Sequence, residues 1–550
     1  MKRLLFILLV FCANYSFAQQ TVGVFQNDSL AFNGYTLLFP NVSKNTWLLD
    51  NCGNVVHSWE SEYNPGLVAY LLENGDLLRT ARIGSNFNGG GSGGRIERYN
   101  WEGEMTWSYN YSSDLFHQHH DIEFLPNGNI LIIAWELHSV EDAIEHGRNP
   151  QTLANDGIWS EHIVEVKPVG DSEIEIVWKW QLWDHMIQGF DETKDDFGVI
   201  ADHPELWDIN SGNAGIDWIH FNSIDYNPTL DQIVLSSRHL NEVYILDHST
   251  TTTEAASHEG GNSGKGGDIL YRWGNPENYG RGGEDDKTLF GQHDAQWIEP
   301  GRPDEGALMV FNNGIGRPEG NFSTVDVWET PVDDDGNYSI EEDAPFAPDN
   351  LSWFYAANPF QGLYSSNISG AQRLPNGNTL ICEGRTGDLL EVDYNGTHRW
   401  RYKSPVVGQG FVTQGNNVNN NNVFRAYRYA PDYPAFIDRE LEPGEPLELE
   451  PTNQACIIYD GNPVATNDFL RLENVRVLGN PVSSTIFIEN NTQERILFEM
   501  TDLMGRTVLK GSTMEGTSRQ NIEEIGAGLY LMRFSNVENN RFFVEKVMKF

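Results

Sequence analysis

Apolar and polar residues alternate along the chain in short runs, and the runs repeat. Leu125-Pro126-Asn127-Gly128-Asn129 leads into an apolar stretch from Ile130 to Ala134, and Leu374-Pro375-Asn376-Gly377-Asn378 leads into Thr379 to Cys382. A third copy, Leu72-Glu73-Asn74-Gly75-Asp76, precedes Leu77 to Thr80. Each reads as a hairpin whose Asn-Gly pair supplies positive φ for a tight turn. Stretches 93–110, 162–182 and 387–403 alternate with period two around a Gly-containing turn and end in Trp-rich strands, so they read as the second hairpin of the same unit. Two more units keep the spacing without Asn-Gly, one starting at His220 and the other at His293. Residues 35–59 form a second half with no first half before it, and 421–430 (NNVFRAYRYA) supplies the missing strand from the far end. Repetition closed by the chain's own terminus predicts an all-β fold, a six-bladed β-propeller over residues 19–437.

From residue 438 the pattern stops. The acidic, Pro-rich RELEPGEPLELEPTN (439–453) marks 438–465 as a linker or surface strap, and short strands return over 466–550 as a small C-terminal β-sandwich. At the other end, Lys2 and Arg3, the apolar run from Leu4 to Cys12 and the small-residue finish at Ala18 make residues 1–18 a signal peptide. No later run of about 18 apolar residues follows, so no transmembrane segment is expected. Beyond the signal stand Cys52, Cys382 and Cys456, an odd number that allows at most one disulfide. Cys52 with Cys456 is the favoured pairing, because it would pin the two ends of the propeller. With no CxxC pair, a zinc knot or thioredoxin-like centre is excluded. Charge narrows the partners: 36 basic against 79 acidic residues give a net charge of −43, which repels nucleic acid and anionic membranes. An aromatic content of 12% excludes a disordered chain.

The candidate chemistry lies in repeated histidines. His120 precedes Asp121 (HQHHDIEF), His220 precedes Asn222-Ser223 (DWIHFNSIDY) and His293 precedes Asp294 (GQHDAQWI), each just before a first strand. Innermost propeller strands start at the central channel, so equivalent positions predict three imidazoles around one mouth. Arg238 and Arg317 follow the inner strands of their blades and would reach the same mouth. Asn222, Arg238, Ser366 and Asn367 are candidate substrate-binding residues, the last two in a run (YSSNISGAQ) that holds Ser365 and Ser369 where a histidine would stand. No metal or other cofactor is expected, because no short-spaced ligand pair beside an acid marks a site; the run His117 to His120 comes nearest. DDDGNYSIEED (333–343) lacks calcium-loop spacing. GGNSGKGG (260–267) is no phosphate loop and reads as a candidate lid over the channel.

The strings NGYTLLFP, HHDIEFLPNGNILIIAWE, ADHPELWDIN, DWIHFNSIDYNPTLDQIVLSSR, YRWGNP and GQHDAQWI, spread from about Tyr35 to Lys403, resemble the bacterial arylsulfotransferases, which are secreted six-bladed propellers. The resemblance implies an enzyme that moves a sulfuryl group from an aryl sulfate to a phenol without a nucleotide, in a ping-pong cycle through a sulfated histidine. Other histidines and an arginine would hold the sulfate oxygens, and by resemblance His220, His293 and Arg317 take those roles. The family's nucleophilic histidine lies in a later blade than its arginine. Here no histidine stands between His293 and His398, so His120, His220 or His293 is expected to attack instead. A non-catalytic propeller that binds a sulfated or aromatic ligand is the alternative. Asn480-Pro481, Asp502, Gly505-Arg506, Gly528-Leu529-Tyr530 and Lys546-Val547-Met548-Lys549 resemble the C-terminal sorting domain of the Bacteroidetes type IX secretion system. That resemblance implies secretion machinery as a partner and export through the periplasm and outer membrane.

Overall fold

The computed structural model describes residues 20–408, 410–452, 455–459, 475–478, 482–502, 506–536 and 542–549. The signal-peptide reading of residues 1–18 lies outside them, as do Asn480, Pro481 and Gly505 of the sorting motif. The fold is all-β. In chain order the strands are β1 (Gly23–Asn27), β2 (Tyr35–Pro40), β3 (Asn45–Leu49), β4 (Val55–Glu60), β5 (Pro65–Leu71), β6 (Leu77–Arg82), β7 (Gly94–Tyr99), β8 (Met105–Asn110), β9 (Phe116–Phe124), β10 (Ile130–His138), β11 (Ile158–Val169) and β12 (Glu173–Gln181). The short pair β13 (Met186–Ile187) and β14 (Trp207–Asp208) is followed by β15 (Phe221–Asn227), β16 (Gln232–Ser237), β17 (Glu242–Asp247), β18 (Tyr271–Trp273), β19 (His293–Trp297), β20 (Leu308–Asn312), β21 (Thr324–Trp328) and β22 (Trp353–Ala356). Then come β23 (Gly370–Arg373), β24 (Thr379–Glu383), β25 (Asp388–Val392), β26 (His398–Lys403), the short β27 (Val406–Val407) and β28 (Gly410–Phe411), and β29 (Val423–Tyr429).

Five sheets are antiparallel meanders that begin at β5, β9, β15, β19 and β23, and the sixth has the order β29-β2-β3-β4. The strand at 423–429 therefore supplies the first strand of the opening sheet, with Tyr35 opposite Tyr429 and Leu37 opposite Tyr427. A second crossing was not legible in the pattern: β1 adds a fifth strand to the last sheet beside β26. In all three Asn-Gly turns the Gly alone takes positive φ: +92° at Gly75, +86° at Gly128 and +85° at Gly377.

The first strands touch one another in a closed cycle, β29 to β5, β9, β15, β19, β23 and back to β29. A tryptophan repeat closes the outer side of the same cycle. On the fourth strand of each sheet one Trp Nε1–H donates to an oxygen of the next sheet: Trp59 to the Asn100 carbonyl, Trp107 to Glu173, Trp178 to the Thr250 hydroxyl, Trp273 to Pro348, Trp353 to Tyr394 and Trp400 to Asn51. The distances run from 2.8 Å at Trp400 to 3.1 Å at Trp107. A buried indole removes on the order of 200 Å² from water, worth roughly 5 kcal/mol gross, and its N–H needs an acceptor when buried. The Trp-rich ends of the repeats are thus the clasps between neighbouring sheets.

The acidic stretch runs along this ring. Val55 N–H donates to the Glu445 carbonyl, Gly444 N–H donates to the Val55 carbonyl, and Cys456 is disulfide-bonded to Cys52. Cys382 is free and buried. Beyond it, β30 (Val475–Leu478), β31 (Thr485–Asn490), β32 (Ile496–Asp502), β33 (Thr507–Thr513), β34 (Gly516–Asn521), β35 (Gly528–Asn536) and β36 (Phe542–Lys549) form two sheets, β30-β31-β34 and β33-β32-β35-β36. Alternate residues of both sheets, among them Ile486, Ile488, Phe498, Met500 and Phe534, share one core. Among the described residues no helix is long and apolar enough to cross a membrane.

Candidate functional site

The first strands open with a recurring irregularity. Leu67, His120, His220, Asp294 and Ser369 all have positive φ although none is glycine. The pairing of β5, β9, β15 and β19 with their neighbours slips at the same point. A bulge of this kind re-aims side chains, and backbone strain held by its surroundings marks functional positions. It turns the histidines toward one another. The His120 and His220 rings lie 4.7 Å apart, and Phe424, on the returning strand β29, stands 6.1 Å from His120 and 6.2 Å from His293.

Each imidazole has a defined partner. His293 Nδ1 faces two acceptors, Asn313 Oδ1 at 2.7 Å and the Gly291 carbonyl at 3.1 Å. The Asn313 orientation is set by its amide nitrogen, which donates to the Ser365 and Ile368 carbonyls, both at 2.8 Å. His293 Nδ1 therefore carries the proton, and Nε2 presents its lone pair, with the Ile368 N–H at 3.2 Å. Burial, followed by the field of Arg238, pushes the His293 pKa well below the usual range, so the ring is neutral at neutral pH. His220 Nδ1 lies 2.7 Å from Asp217 Oδ2, and the His239 ring is 4.7 Å from the His220 ring. His120 Nδ1 meets His119 Nδ1 at 2.8 Å, and His119 Nε2 meets Glu161 Oε2 at 2.8 Å, forming a buried chain of three ionisable groups. Burial drives both of these histidines well down and the Glu161 pKa well up.

The glycine run at 89–94 packs onto the histidines. A Cβ on Gly91, whose φ is +87°, would lie 2.0 Å from the His120 ring. The proposed lid at 260–267 sits elsewhere, against the end of β17, where Ser263 N–H donates to Asp247 at 2.8 Å. It is not the loop over the histidines. Arg238 is partly exposed, and its guanidinium makes no hydrogen bond among the described residues. Arg317 is buried between Phe290 and Phe322, 5.2 and 4.8 Å from the ring centres, and donates to the Thr324 hydroxyl at 3.0 Å. Asn222 donates to the Gln292 carbonyl at 2.7 Å, while its buried Oδ1 has no hydrogen-bond partner. Ser366 hydrogen-bonds Asn367 at 3.4 Å, next to the Ile368 N–H that faces His293.

One residue further along the strands, the chemistry changes sign. Arg425 on β29 bridges Asp121 at 2.7 Å and Asp294 at 2.9 Å, all three nearly fully buried. Asp121 also accepts from the Tyr70 hydroxyl at 2.6 Å. Beyond this layer a cavity of about 690 Å³ is lined by Glu123, Asp225, Glu299 and a set of tyrosines. Burial pushes the Asp225 carboxyl up to about 7 and Asp294 up to about 6. One end of the strands thus presents imidazoles and a guanidinium, and the other presents carboxyls beside Arg98 and Arg425.

A family model described as arylsulfotransferase (ASST) matches residues 24–423. The chain belongs to the arylsulfotransferase family. A second model, for a secretion system C-terminal sorting domain, matches residues 477–549, so this arylsulfotransferase-family protein carries a type IX export tail and is secreted or held at the cell surface. No curated protein matches the chain. Among solved structures it is similar to a protein of unknown function from Bacteroides caccae, at 11% identity and TM-score 0.39, over 72% of this chain and 99% of that one. It is also similar to Kuenenia stuttgartiensis hydrazine synthase (13%, TM-score 0.30, 53% and 67%) and a protein of unknown function from Bacteroides thetaiotaomicron (10%, TM-score 0.31, 74% and 70%). Likenesses this weak carry no argument about chemistry. In this family member the sequence reading overlooked Asn313, the His119–Glu161 chain, Arg425 and the 89–94 loop. The glycine run and HQHH were visible signals; Asn313 and Arg425 carried none, because their roles come from partners 20 or more residues away in sequence.

Proposed function

We propose that the six sheets are the blades of a β-propeller, that the C-terminal pair is a β-sandwich, and that the histidine end of the channel transfers a sulfuryl group from an aryl sulfate to a phenol. The observation that carries the mechanism is the His293 tautomer. A neutral ring with Nδ1–H held by Asn313 makes Nε2 the nucleophilic nitrogen, and its lone pair must be released by the Ile368 N–H, which donates to it at 3.2 Å, before it attacks sulfur. The aryl O–S bond breaks, the phenolate leaves, and the sulfuryl group rests on His293 until a second phenol takes it. Charge in this transfer spreads over three oxygens, and preorganised N–H donors stabilise it.

Arg238 is the proposed cation: of the two guanidinium groups that act on His293, Arg425 is engaged by Asp121 and Asp294, whereas Arg238 has no hydrogen bond among the described residues. This choice restores the family's order of an arginine followed by a histidine in a later blade, which Arg317 leaves without a histidine. His220, with Nδ1–H donated to Asp217, would take the acceptor phenol's proton at Nε2. His120 would donate or accept a proton according to where the proton sits along the Glu161–His119 chain.

The test is 4-nitrophenol release from 4-nitrophenyl sulfate, with and without added phenol. Release that rises with phenol, and a donor-only burst with one SO₃ on the His293 peptide by mass spectrometry, are expected for the wild type and absent in H293A. Full turnover by H293A would refute the assignment of the nucleophile. Binding of the ester with no release from any aryl sulfate would point to the ligand-binding alternative.

A further inference from the structure

A second convergence of histidines and a carboxylate lies away from the inner strands. His185 ends the turn that follows β12, while His258 and Asp268 belong to the segment joining β17 to β18. His185 Nδ1 lies 2.7 Å from Asp268 Oδ1, and His258 Nδ1 lies 2.8 Å from the same oxygen. Their rings stand 5.7 Å apart at 88° to each other. The side chains of His185, Asp268 and His258 are 0, 7 and 60% exposed, so two partners sit in the protein and the third closes the site from solvent.

His185 Nε2 points at the Ala255 carbonyl, 2.8 Å away. A carbonyl only accepts, so Nε2 carries a proton and Nδ1 is the ring nitrogen that faces Asp268. With Nε2 protonated, the neutral form of the ring can present its Nδ1 lone pair to a metal cation shared with the Asp268 carboxylate, in place of a proton on Nδ1. A backbone carbonyl that fixes the far nitrogen of an imidazole is also the support that metal-ligating histidines use. We propose that His185 Nδ1, His258 Nδ1 and Asp268 Oδ1 bind a divalent zinc ion, with water in the fourth position. Two imidazole nitrogens and one carboxylate oxygen suit zinc better than calcium or magnesium, which take oxygen ligands. Tetrahedral ligands about 2.0–2.1 Å from zinc lie about 3.3 Å from one another. Entry therefore opens the two contacts by about half an ångström, one by movement of the exposed His258 and the other by a shift of Asp268 from the buried His185. The ion would staple the Gly-rich segment before Asp268 to the turn at His185, where Trp180 Nε1–H already donates to the Gly267 carbonyl at 2.8 Å. The role is structural and independent of sulfuryl transfer.

The experiment is calorimetric titration of the full secreted chain, stripped with EDTA and dialysed, with zinc chloride and then with calcium chloride. His258 is exposed, so H258A should fold as the wild type does, which H185A need not. His239 is the control, because Asp217, His220 and His239 form the other such grouping among the described residues. One zinc per chain at micromolar affinity or tighter is expected, weakened at least tenfold in H258A, retained in H239A, with no calcium uptake. Absence of zinc binding, unchanged affinity in H258A, or loss in H239A alone would overturn the proposal.

Discussion

Two arginines were candidates for holding the transferring group, and their surroundings predict opposite effects of removal. Arg238 makes no hydrogen bond among the described residues and is half-buried, so Arg238→Ala breaks no hydrogen bond. Its cost in stability should stay within about 1 kcal/mol, near the centre for point mutants. The cost in chemistry should be large, because a preorganised donor aimed at developing charge in a water-poor site is worth about 10²–10³ in kcat, or roughly 3–4 kcal/mol. Arg317→Ala should behave the other way. It loses cation–π contact with Phe290 and Phe322, each about 0.5–2 kcal/mol, and a charged hydrogen bond to Thr324 of about 1.5–3 kcal/mol, set against relief of a buried charge. A net loss of roughly 1–4 kcal/mol follows, with kcat of the folded fraction changed less than tenfold. A pH signature accompanies the first variant. Burial and then Arg238 depress the His293 pKa, so without the cation that pKa rises and the acid limb of kcat/KM moves to higher pH. The assays are 4-nitrophenyl sulfate turnover from pH 5 to 9 and urea denaturation of the same preparations. Arg238→Ala within threefold of wild type in kcat/KM, or Arg317→Ala inactive while fully folded, would refute the assignment.

Three further outcomes follow from the same structure. Removing Arg425 strands two buried carboxylates, so R425M should cost about 3–5 kcal/mol. Asp294 is already raised to about 6, a shift whose sign makes stability fall as pH rises from about 4 through 6, so the R425M deficit by urea denaturation should be larger at pH 8 than at pH 5. Burial alone would lower the His248 pKa, but hydrogen bonds to Asp231 and Glu165 outweigh it and hold the imidazolium up to about 9. That stabilisation, at most roughly 3 kcal/mol, is complete below pH 6.5 and lost as pH rises through 9, so H248Q should flatten Tm across that window. Gly91→Ala drives a Cβ into the His120 ring, whereas Gly103 has a similar φ of +81° and open space around it. Turnover should fall at least tenfold in G91A and stay near wild type in G103A, and equal losses would show that backbone strain alone is at work.

By itself, the sequence determined the repeat, its strand pairs, the return of 421–430 to the opening sheet, and the family and export tail. These are local or periodic properties: alternation sets which face of a strand is buried, and a glycine sets where it turns. It also pointed to His120, His220 and His293 as candidates that lie near one another, because a shared register survives in the linear order. Tertiary structure alone decided which groups face them. Asn313 sets the His293 tautomer, Arg425 reaches Asp121 and Asp294 from a strand about 300 and 130 residues further along the chain, and Arg238 rather than Arg317 bears on His293 electrostatically. The lid was misread for the same reason: two glycine runs look alike in sequence, and only the closure of the sheets into a cycle puts 89–94, not 260–267, against the imidazoles. Periodicity records how each strand meets its neighbours, but proton positions and ion pairing depend on distances between strands, which no single strand encodes.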